Sequence, residues 1–288
     1  MGSKMKLMFR ISTLAWFVMT LWVLPVAQVL AEPHADWVVY YSDKETTEAF
    51  SSYRLLVLDS LYHPPLEPLK AQDKIILGYI SLGEVEEHRS YFKEVKKEGI
   101  LLMENKTWKG SYFVDLRDKR WARRIVEDLA QAILHQGFDG LFLDTLDNPG
   151  YLEDTNPNRF KGMRAAAVNL LRTLREHYPN IPIMLNRAYD LYPDGGQYVD
   201  MILGESVFAD YNFETKKYGL VKTELYLQQV DILKKAKTQF PHLQIYTLDY
   251  WNPEDPKGIK RIYTEQRKNG FMPYVATIQL NQLVPEPR

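Results

Sequence analysis

The sequence predicts a single (β/α)8 barrel over residues 32–288, preceded by a signal peptide over residues 1–31. Eight short β-forming runs alternate with longer segments of helical periodicity. The runs are nearly continuous in apolar residues, as expected of parallel strands covered on both faces. Eight strands alternating with helices in about 250 residues fit this barrel. An open doubly wound sheet is the alternative, but its glycine-rich phosphate turn is absent after the first strand, which ends in YYSDKE.

The N-terminus has the layout of a secretory signal. Lys4, Lys6 and Arg10 precede an apolar run over residues 11–27, and the small residues of 29–31 suit cleavage. The alternative is a retained membrane anchor, because the run approaches the ~20 residues that a span needs. Cleavage after Ala31 predicts a secreted or periplasmic protein without a stable membrane anchor. The chain has no cysteine, so a disulfide framework is excluded.

Composition limits the classes of partner. Without residues 1–31 the chain has 33 basic and 37 acidic residues, a net charge of −4. This mildly acidic balance argues against nucleic-acid binding, which needs a basic surface. Aromatic residues make up 13% of the chain, and their faces suit sugar rings as well as hydrophobic cores. We expect a monomer whose partner is a neutral or cationic polymer.

The strands and helices follow in order along the chain. The eight predicted strands cover residues 37–42, 54–59, 74–84, 139–145, 181–186, 199–206, 244–251 and 270–277. Apolar residues at helical spacing predict helices over residues 90–97, 121–133, 163–174, 225–236 and 259–266. The stretch YFVDLRD, residues 112–118, can form an additional strand, in which case the strand numbering shifts by one.

Polar side chains follow the predicted strands where the chain leaves the barrel. In this fold the active site is built from the C-terminal ends of the strands. We predict Asp144 and Glu205 as the catalytic residues. The other side chains at these ends are predicted to bind substrate: Tyr41, Asp59, Glu84, Asn186, Arg187, Asp249 and Tyr250.

Alternation along the strands selects the catalytic pair. Phe142 and Asp144 share one face of the fourth strand, and Leu203 and Glu205 share one face of the sixth. Even-numbered strands fill the same interior layers, so the two carboxylates are expected to face each other, with Asn186 on the strand between them. Two carboxylates flanking a bond are the working parts of a glycosidase.

Structural roles are the alternatives for these acids. Asp144 can cap the turn that follows it, and Glu205 can form an ion pair with Arg187. Asp59 and Asp249 can cap loops or pair with other residues at the barrel rim. The sequence leaves both kinds of role open.

Other chemistries fit the sequence less well. The six histidines include no pair at metal-ligand spacing, so neither a metal nor another cofactor is predicted. The chain has no GxSxG motif, no P-loop and no cysteine to act as a nucleophile.

Four motifs in this order resemble the endo-α-1,4-polygalactosaminidase family of glycoside hydrolases and its relatives: GYISLGEVE, YFVDLRD, GFDGLFLDTLD and ILGES. The resemblance spans essentially all of residues 32–288. It implies a secreted barrel that cleaves galactosamine-containing polysaccharide, with Asp144 as nucleophile and Glu205 as acid/base in a retaining reaction. The chain departs from related sequences in having Leu143-Asp144 for "xPD" and Gly204-Glu205-Ser206 for "NEE", which leaves the sugar open.

Two further expectations follow. Unacetylated galactosamine carries an ammonium group, so the surplus of rim carboxylates and aromatic rings predicts an acidic cleft whose binding weakens with salt. The alternative function is a non-catalytic barrel that binds polysaccharide during exopolysaccharide export or biofilm assembly. Loss of one carboxylate of the pair would be enough to produce it.

Overall fold

The structure, a computed structural model, describes residues 36–287. Eight parallel strands form a nearly closed barrel, which confirms the predicted fold. The barrel strands are, in spatial and chain order, β1 (Trp37–Tyr40), β2 (Leu55–Leu58), β3 (Ile75–Ser81), β7 (Gly140–Asp144), β8 (Ile183–Asn186), β9 (Met201–Glu205), β12 (Gln244–Tyr250) and β13 (Met272–Ala276).

The first and last strands meet and bring the barrel close to closure. The Trp37 indole N–H donates to the carbonyl of Met272 at 3.0 Å. At the other end of β1, the Tyr41 amide donates to the carbonyl of Leu280 at 2.7 Å. Burial of apolar side chains on both faces of the strands explains why their sequences are apolar throughout.

Helices cover the outside of the barrel. Those within residues 92–97, 119–135, 163–177, 223–239 and 256–268 lie near the predicted positions, and the remaining ones were not predicted. The helices are α1 (Leu66–Lys70), α2 (Phe92–Lys97), α3 (Lys119–Arg123), α4 (Ala130–His135), α5 (Asn148–Thr155), α6 (Pro157–Phe160), α7 (Met163–His177), α8 (Tyr192–Gly195), α9 (Thr223–Gln239) and α10 (Pro256–Lys268). A π-helical segment over Arg124–Leu129 joins α3 to α4. Short 3-10 turns lie at Thr47–Phe50, Tyr189–Leu191 and Gly196–Tyr198.

Two antiparallel insertions extend from the barrel. The first is a three-stranded sheet of β4 (Glu84–Glu86), β5 (Leu101–Glu104) and β6 (Ser111–Val114). The second is a hairpin of β10 (Ala209–Asn212) and β11 (Lys217–Leu220). The additional strand expected in YFVDLRD is therefore β6, which lies outside the barrel and does not change the barrel numbering.

The third predicted strand was too long. It ends at Ser81, and Glu84 begins β4 of the first insertion. The predicted signal peptide and its alternative, an anchor, lie outside the described residues. Within residues 36–287, no helix has the length and apolar content needed to span a bilayer.

Candidate active site

Asp144 and Glu205 lie together at the C-terminal mouth of the barrel, joined by one amide. Asn186 Nδ2 donates to Asp144 Oδ1 at 2.9 Å and to Glu205 Oε2 at 2.7 Å. The two oxygens that share this donor are therefore at most about 5.6 Å apart. This bound is compatible with the 5–5.5 Å between the carboxyl groups of retaining glycosidases. Asn186 is itself buried at the end of β8, between the two catalytic strands.

Asp144 accepts hydrogen bonds from three donors. Besides Asn186, it accepts hydrogen bonds from the Tyr79 hydroxyl at 2.9 Å and from the Thr145 amide at 2.8 Å. Burial raises the pKa of Asp144 and the neighbouring Asp147 adds to the rise, while these three hydrogen bonds lower it. The net pKa remains above the ordinary value.

Glu205 has fewer donors and a charged neighbour. It accepts from Asn186 and from the hydroxyl of Tyr250, which reaches Oε1 from β12. Burial raises the pKa of Glu205 and the charge of Asp144 raises it further, against the lowering effect of the two hydrogen bonds and of Arg187. Glu205 is therefore the member of the pair that is better placed to keep a proton when Asp144 is ionised.

Strained backbone follows each of the three strand ends. Thr145 after Asp144 has φ 66°, Arg187 after Asn186 has φ 51°, and Ser206 after Glu205 has φ 54°. Left-handed conformations are costly for residues with a Cβ and above all for a β-branched one such as Thr145. Such strain persists only where surrounding contacts impose it, and it clusters at functional sites.

The contacts that impose the conformation of Thr145 come from the GYISLGE segment. The Gly83 amide donates to Thr145 Oγ1 at 2.8 Å, and the Ser81 hydroxyl lies 3.0 Å from the same atom. A Cβ on Gly83 would come within 2.2 Å of the Thr145 carbonyl oxygen, so only glycine fits here. The loop after β3 thereby fixes the turn that presents Asp144.

A cleft of about 700 Å³ opens above the pair. Its size is that of a small-molecule or oligosaccharide site. Acidic side chains outnumber basic ones among the lining residues: Glu84, Glu86, Glu87, Asp144, Asp147, Glu205 and Asp210, against Lys109, Arg187 and His88. Aromatic side chains make up much of the remaining wall: Tyr41, Tyr79, Trp108, Phe213 and Tyr250.

Five of the seven residues predicted to bind substrate line this cleft: Tyr41, Glu84, Asn186, Arg187 and Tyr250. Burial raises the pKa of the Tyr41 and Tyr250 hydroxyls well above the ordinary value, so both remain protonated donors. Arg187 lies 3.8 Å from Asp147, which replaces the ion pair with Glu205 that the sequence left open.

Glu84 is a lining residue whose carboxylate is already well bonded. It accepts from the Asn105 amide at 2.8 Å, the Asn148 amide at 2.7 Å and the Ser111 hydroxyl. Its side chain is buried. These contacts join the first insertion to the start of α5, so Glu84 shapes the wall of the cleft.

Asp59 and Asp249 do not line the cleft, contrary to the sequence prediction. Asp59 caps its own loop by accepting from the amides of Leu61 and Tyr62 at 2.7 and 2.9 Å. Asp249 is fully buried on the other face of β12, where burial raises its pKa to about 6. Both occupy the structural roles that the sequence had left as alternatives.

Three aromatic residues of the site were not identified from the sequence. Tyr79 precedes Ser81 by two residues on β3, so the same alternation that selected Asp144 would have placed it at the mouth. Trp108 and Phe213 lie in the turns of the two insertions, where no periodicity indicates their direction. Within the described chain, no three histidine or acidic side chains are grouped as metal ligands.

A parallel barrel with paired carboxylates at its C-terminal mouth is the arrangement typical of (β/α)8 glycoside hydrolases. The sequence model of glycoside-hydrolase family GH114 matches residues 24–288. The chain belongs to this family and is therefore a glycoside hydrolase. This membership argues against the alternative of a non-catalytic barrel.

Relatives extend across bacteria and archaea. An uncharacterised protein of Deinococcus radiodurans is 28% identical over 74% of this chain and 68% of its own length. Uncharacterised proteins of Thermotoga maritima and Methanocaldococcus jannaschii are 23% and 25% identical, covering 86% and 83% of this chain and 82% and 75% of their own lengths.

Solved structures share the fold. The glycoside hydrolase domain of PelA from Pseudomonas aeruginosa superposes with a TM-score of 0.77 at 22% identity, over 87% of this chain and 98% of that domain. Ega3 from Aspergillus fumigatus, solved in complex with galactosamine, superposes with a TM-score of 0.61 at 15% identity, over 86% of this chain and 94% of that chain.

Proposed function

We propose that this glycoside hydrolase is an endo-acting enzyme that cleaves α-1,4-linked galactosamine-containing polysaccharide with retention of anomeric configuration. The observation that carries this proposal is the pair of carboxylates bridged by Asn186 at the floor of an acidic cleft. The two oxygens that share the Asn186 amide lie at most about 5.6 Å apart, which supports a retaining pair over an inverting one. The related Ega3 structure with galactosamine supports the choice of sugar.

In the first step Asp144 is the nucleophile and Glu205 is the acid. A carboxylate oxygen of Asp144 attacks C1 of the sugar while the bond between C1 and the glycosidic oxygen breaks. Glu205 gives its proton to that oxygen, which leaves as the hydroxyl of the departing chain. The three hydrogen bonds on Asp144 favour its ionised form, and the charge of Asp144 favours the protonated form of Glu205.

In the second step Glu205 acts as a base and water releases the sugar from Asp144. Glu205, now ionised, takes a proton from a water molecule whose oxygen attacks C1. The bond between C1 and Asp144 breaks, the sugar is released with its original configuration, and Glu205 is protonated again. Tyr79, Tyr250 and Asn186 keep the two carboxylates aligned through both steps, because each donates to one or both of them.

The charge of the cleft supports a cationic substrate. Seven acidic side chains but only two lysine or arginine side chains line it, and Arg187 lies near Asp147. An ammonium group at C2 of galactosamine is attracted by this field and by the faces of the aromatic walls. We further propose that residues 1–31 direct secretion and that the mature chain acts as a monomer outside the cytoplasm.

The test uses purified chain 32–288 with deacetylated and acetylated galactosamine polymers of matched length. We expect a rapid fall in polymer viscosity and new reducing ends, faster with the deacetylated polymer. Asp144→Asn should abolish both signals, whereas Asp231→Asn, at an exposed pair with Lys235 on α9, should not. Binding of the polymer without any cleavage by the unsubstituted chain would overturn the proposal.

A further inference from the structure

The two insertions rise from opposite sides of the barrel mouth. The three-stranded sheet follows the third barrel strand, β3, and the hairpin follows the sixth, β9. The third and sixth strands are three positions apart in a barrel of eight, and strands on opposite sides are four positions apart. Each insertion also begins beside the catalytic groups, since the sheet starts at Glu84 and the hairpin starts four residues after Glu205.

The tips of the two insertions touch each other at the cleft. The Trp108 and Phe213 rings meet edge to face, with their centroids 5.1 Å apart and their planes at 80°. Both side chains line the cleft, yet Trp108 is 53% exposed and Phe213 is 48% exposed. The two rings therefore bridge the opening of the cleft and keep much of their surface free.

Both rings stand on turns with internal hydrogen bonds. In the first turn, the Asn105 side chain accepts from the Thr107 amide at 2.9 Å, and the Trp108 carbonyl accepts from the Ser111 amide at 3.1 Å. In the hairpin turn, the Asn212 side chain accepts from the Thr215 amide at 2.7 Å. Each ring therefore lies on a turn that has its own hydrogen bonds.

We propose that Trp108 and Phe213 form an aromatic clasp that binds the polysaccharide by closing over it across the cleft. This inference rests on the proposed function, because it takes the polymer as the ligand. At 5.1 Å the rings leave no space for a sugar between them, so a bound chain lies beneath the clasp. An internal segment of a long chain can reach that position only when the clasp opens.

The contact is suited to opening. A single edge-to-face pair between exposed rings is a weak interaction, and parting it leaves the buried core unchanged. Once a chain lies beneath the rings, their faces pack on its sugars and slow its release. The clasp thereby lets one enzyme make several cuts in one chain before it dissociates.

The first test removes the rings. Trp108→Ala and Phe213→Ala should each release long polymer at least about fivefold faster, and the double variant should add little, because one ring alone cannot close the clasp. The effect should grow with the length of the oligosaccharide. Tyr62→Ala is the matched control, since Tyr62 is 58% exposed and lies outside the cleft. Unchanged release by both ring variants would overturn the clasp.

The second test fixes the clasp shut. The chain has no cysteine, so Trp108→Cys with Phe213→Cys gives a unique pair that a short bifunctional maleimide can join. The joined protein should cleave long polymer at least about tenfold more slowly than the same variant left unjoined, and it should still cleave short oligosaccharides, which can enter by an end. Equal cleavage of long polymer before and after joining would contradict the inference.

A binding measurement separates this inference from the proposed function. In the Glu205→Gln background, dissociation of the long deacetylated polymer is followed directly, without any need for cleavage. Should the unsubstituted enzyme cleave no polymer, the proposed function fails, and faster release on loss of the rings still supports the clasp. Should cleavage occur while the rings have no effect on release, the clasp alone fails.

Discussion

The mouth of the barrel and the layer behind its seventh strand both contain buried carboxylates, and the two regions use them differently. At the mouth, Asp144 and Glu205 share the Asn186 amide and face an open cleft. Behind β12, the Asp249 carboxylate accepts from the amides of Phe208 and Ala209 at 2.7 and 2.8 Å. It also accepts from a side-chain amide of α10 and has no access to the cleft.

This comparison shows that a raised pKa does not by itself mark a catalytic acid. Burial is the first cause of the rise for all three carboxylates. Two adjacent residues of β12 lie in different regions, because successive side chains of a strand point to opposite faces. Tyr250 contacts Glu205 at the mouth, whereas Asp249 contacts α10 on the opposite face. What distinguishes the mouth is a second carboxylate within reach and a cleft above it.

The largest expected effect is the difference in activity between the two regions. Asp144→Asn removes the proposed nucleophile and Glu205→Gln removes the proposed acid/base, so each should lower kcat on the polymer by about 10³-fold or more. Asp249→Asn should change kcat by no more than about threefold, because its amide can still accept from Phe208 and Ala209. An equal loss of kcat in all three variants, with unchanged Tm, would contradict the distinction between the two regions.

A second expected effect concerns stability and pH. The Asp249 carboxyl has a pKa of about 6 when folded, against an ordinary value of 3.8, so the folded chain binds the extra proton between these values. The contribution of Asp249 to the free energy of unfolding is therefore greatest below pH 3.8 and falls as the pH rises through 6, by about 3 kcal/mol in total.

Asp249→Asn tests that pH dependence, because it removes the titrating group. The difference in unfolding free energy, variant minus wild type, should become more favourable to the variant as the pH rises from about 4 to 7. The Gln266 side chain can turn to accept from the new amide, since its Oε1 has no partner among the described residues. A difference that stays constant with pH, measured by denaturant titration, would show that Asp249 does not titrate in this range.

The shared amide should have an intermediate effect on catalysis. Asn186 lowers the pKa of both carboxyls, so Asn186→Ala should raise both and lower kcat by about 10- to 100-fold. The acidic limb of the pH–rate profile, which follows ionisation of Asp144, should move to higher pH. A loss of activity with an unmoved profile would indicate that the amide acts only by packing.

The smallest expected effect is on the charge of the ligand. Deacetylated oligomers should bind about three- to tenfold more tightly than acetylated ones at low salt, and this advantage should shrink at high salt. Titration of matched oligomers into the Glu205→Gln variant measures both dissociation constants. Equal affinities at all salt concentrations would mean that the carboxylates of the cleft do not attract the ammonium group of the ligand.

The barrel was predictable because its strands are apolar on both faces and its longer helices carry apolar residues at helical spacing. The positions of Asp144 and Glu205 were equally clear, since GLFLD and MILGE each end in one acid whose face is set by alternation. In the seventh strand, apolar residues lie on both faces of YTLDYW, so the sequence could not show which of Asp249 and Tyr250 faces the mouth. The structure settles that choice through the hydrogen bond from Tyr250 to Glu205.

The insertions explain what the sequence could not show. Trp108 and Phe213 lie in turns whose positions depend on contacts distant in sequence, such as those that Asn105 and Asn148 make with Glu84. Asp59 was ambiguous for a simpler reason, because a loop cap and a ligand contact use the same carboxylate. Local patterns predict the elements, whereas the walls of the cleft depend on tertiary packing.

Covalent trapping tests the central claim most directly. An activated α-galactosaminyl fluoride needs no acid to leave, so the Glu205→Gln variant should form the glycosyl ester but lack the base that hydrolyses it. Mass spectrometry of the digested variant should find one sugar on the peptide that contains Asp144. An adduct on any other residue, or an unmodified protein that releases product of inverted configuration, would contradict the account.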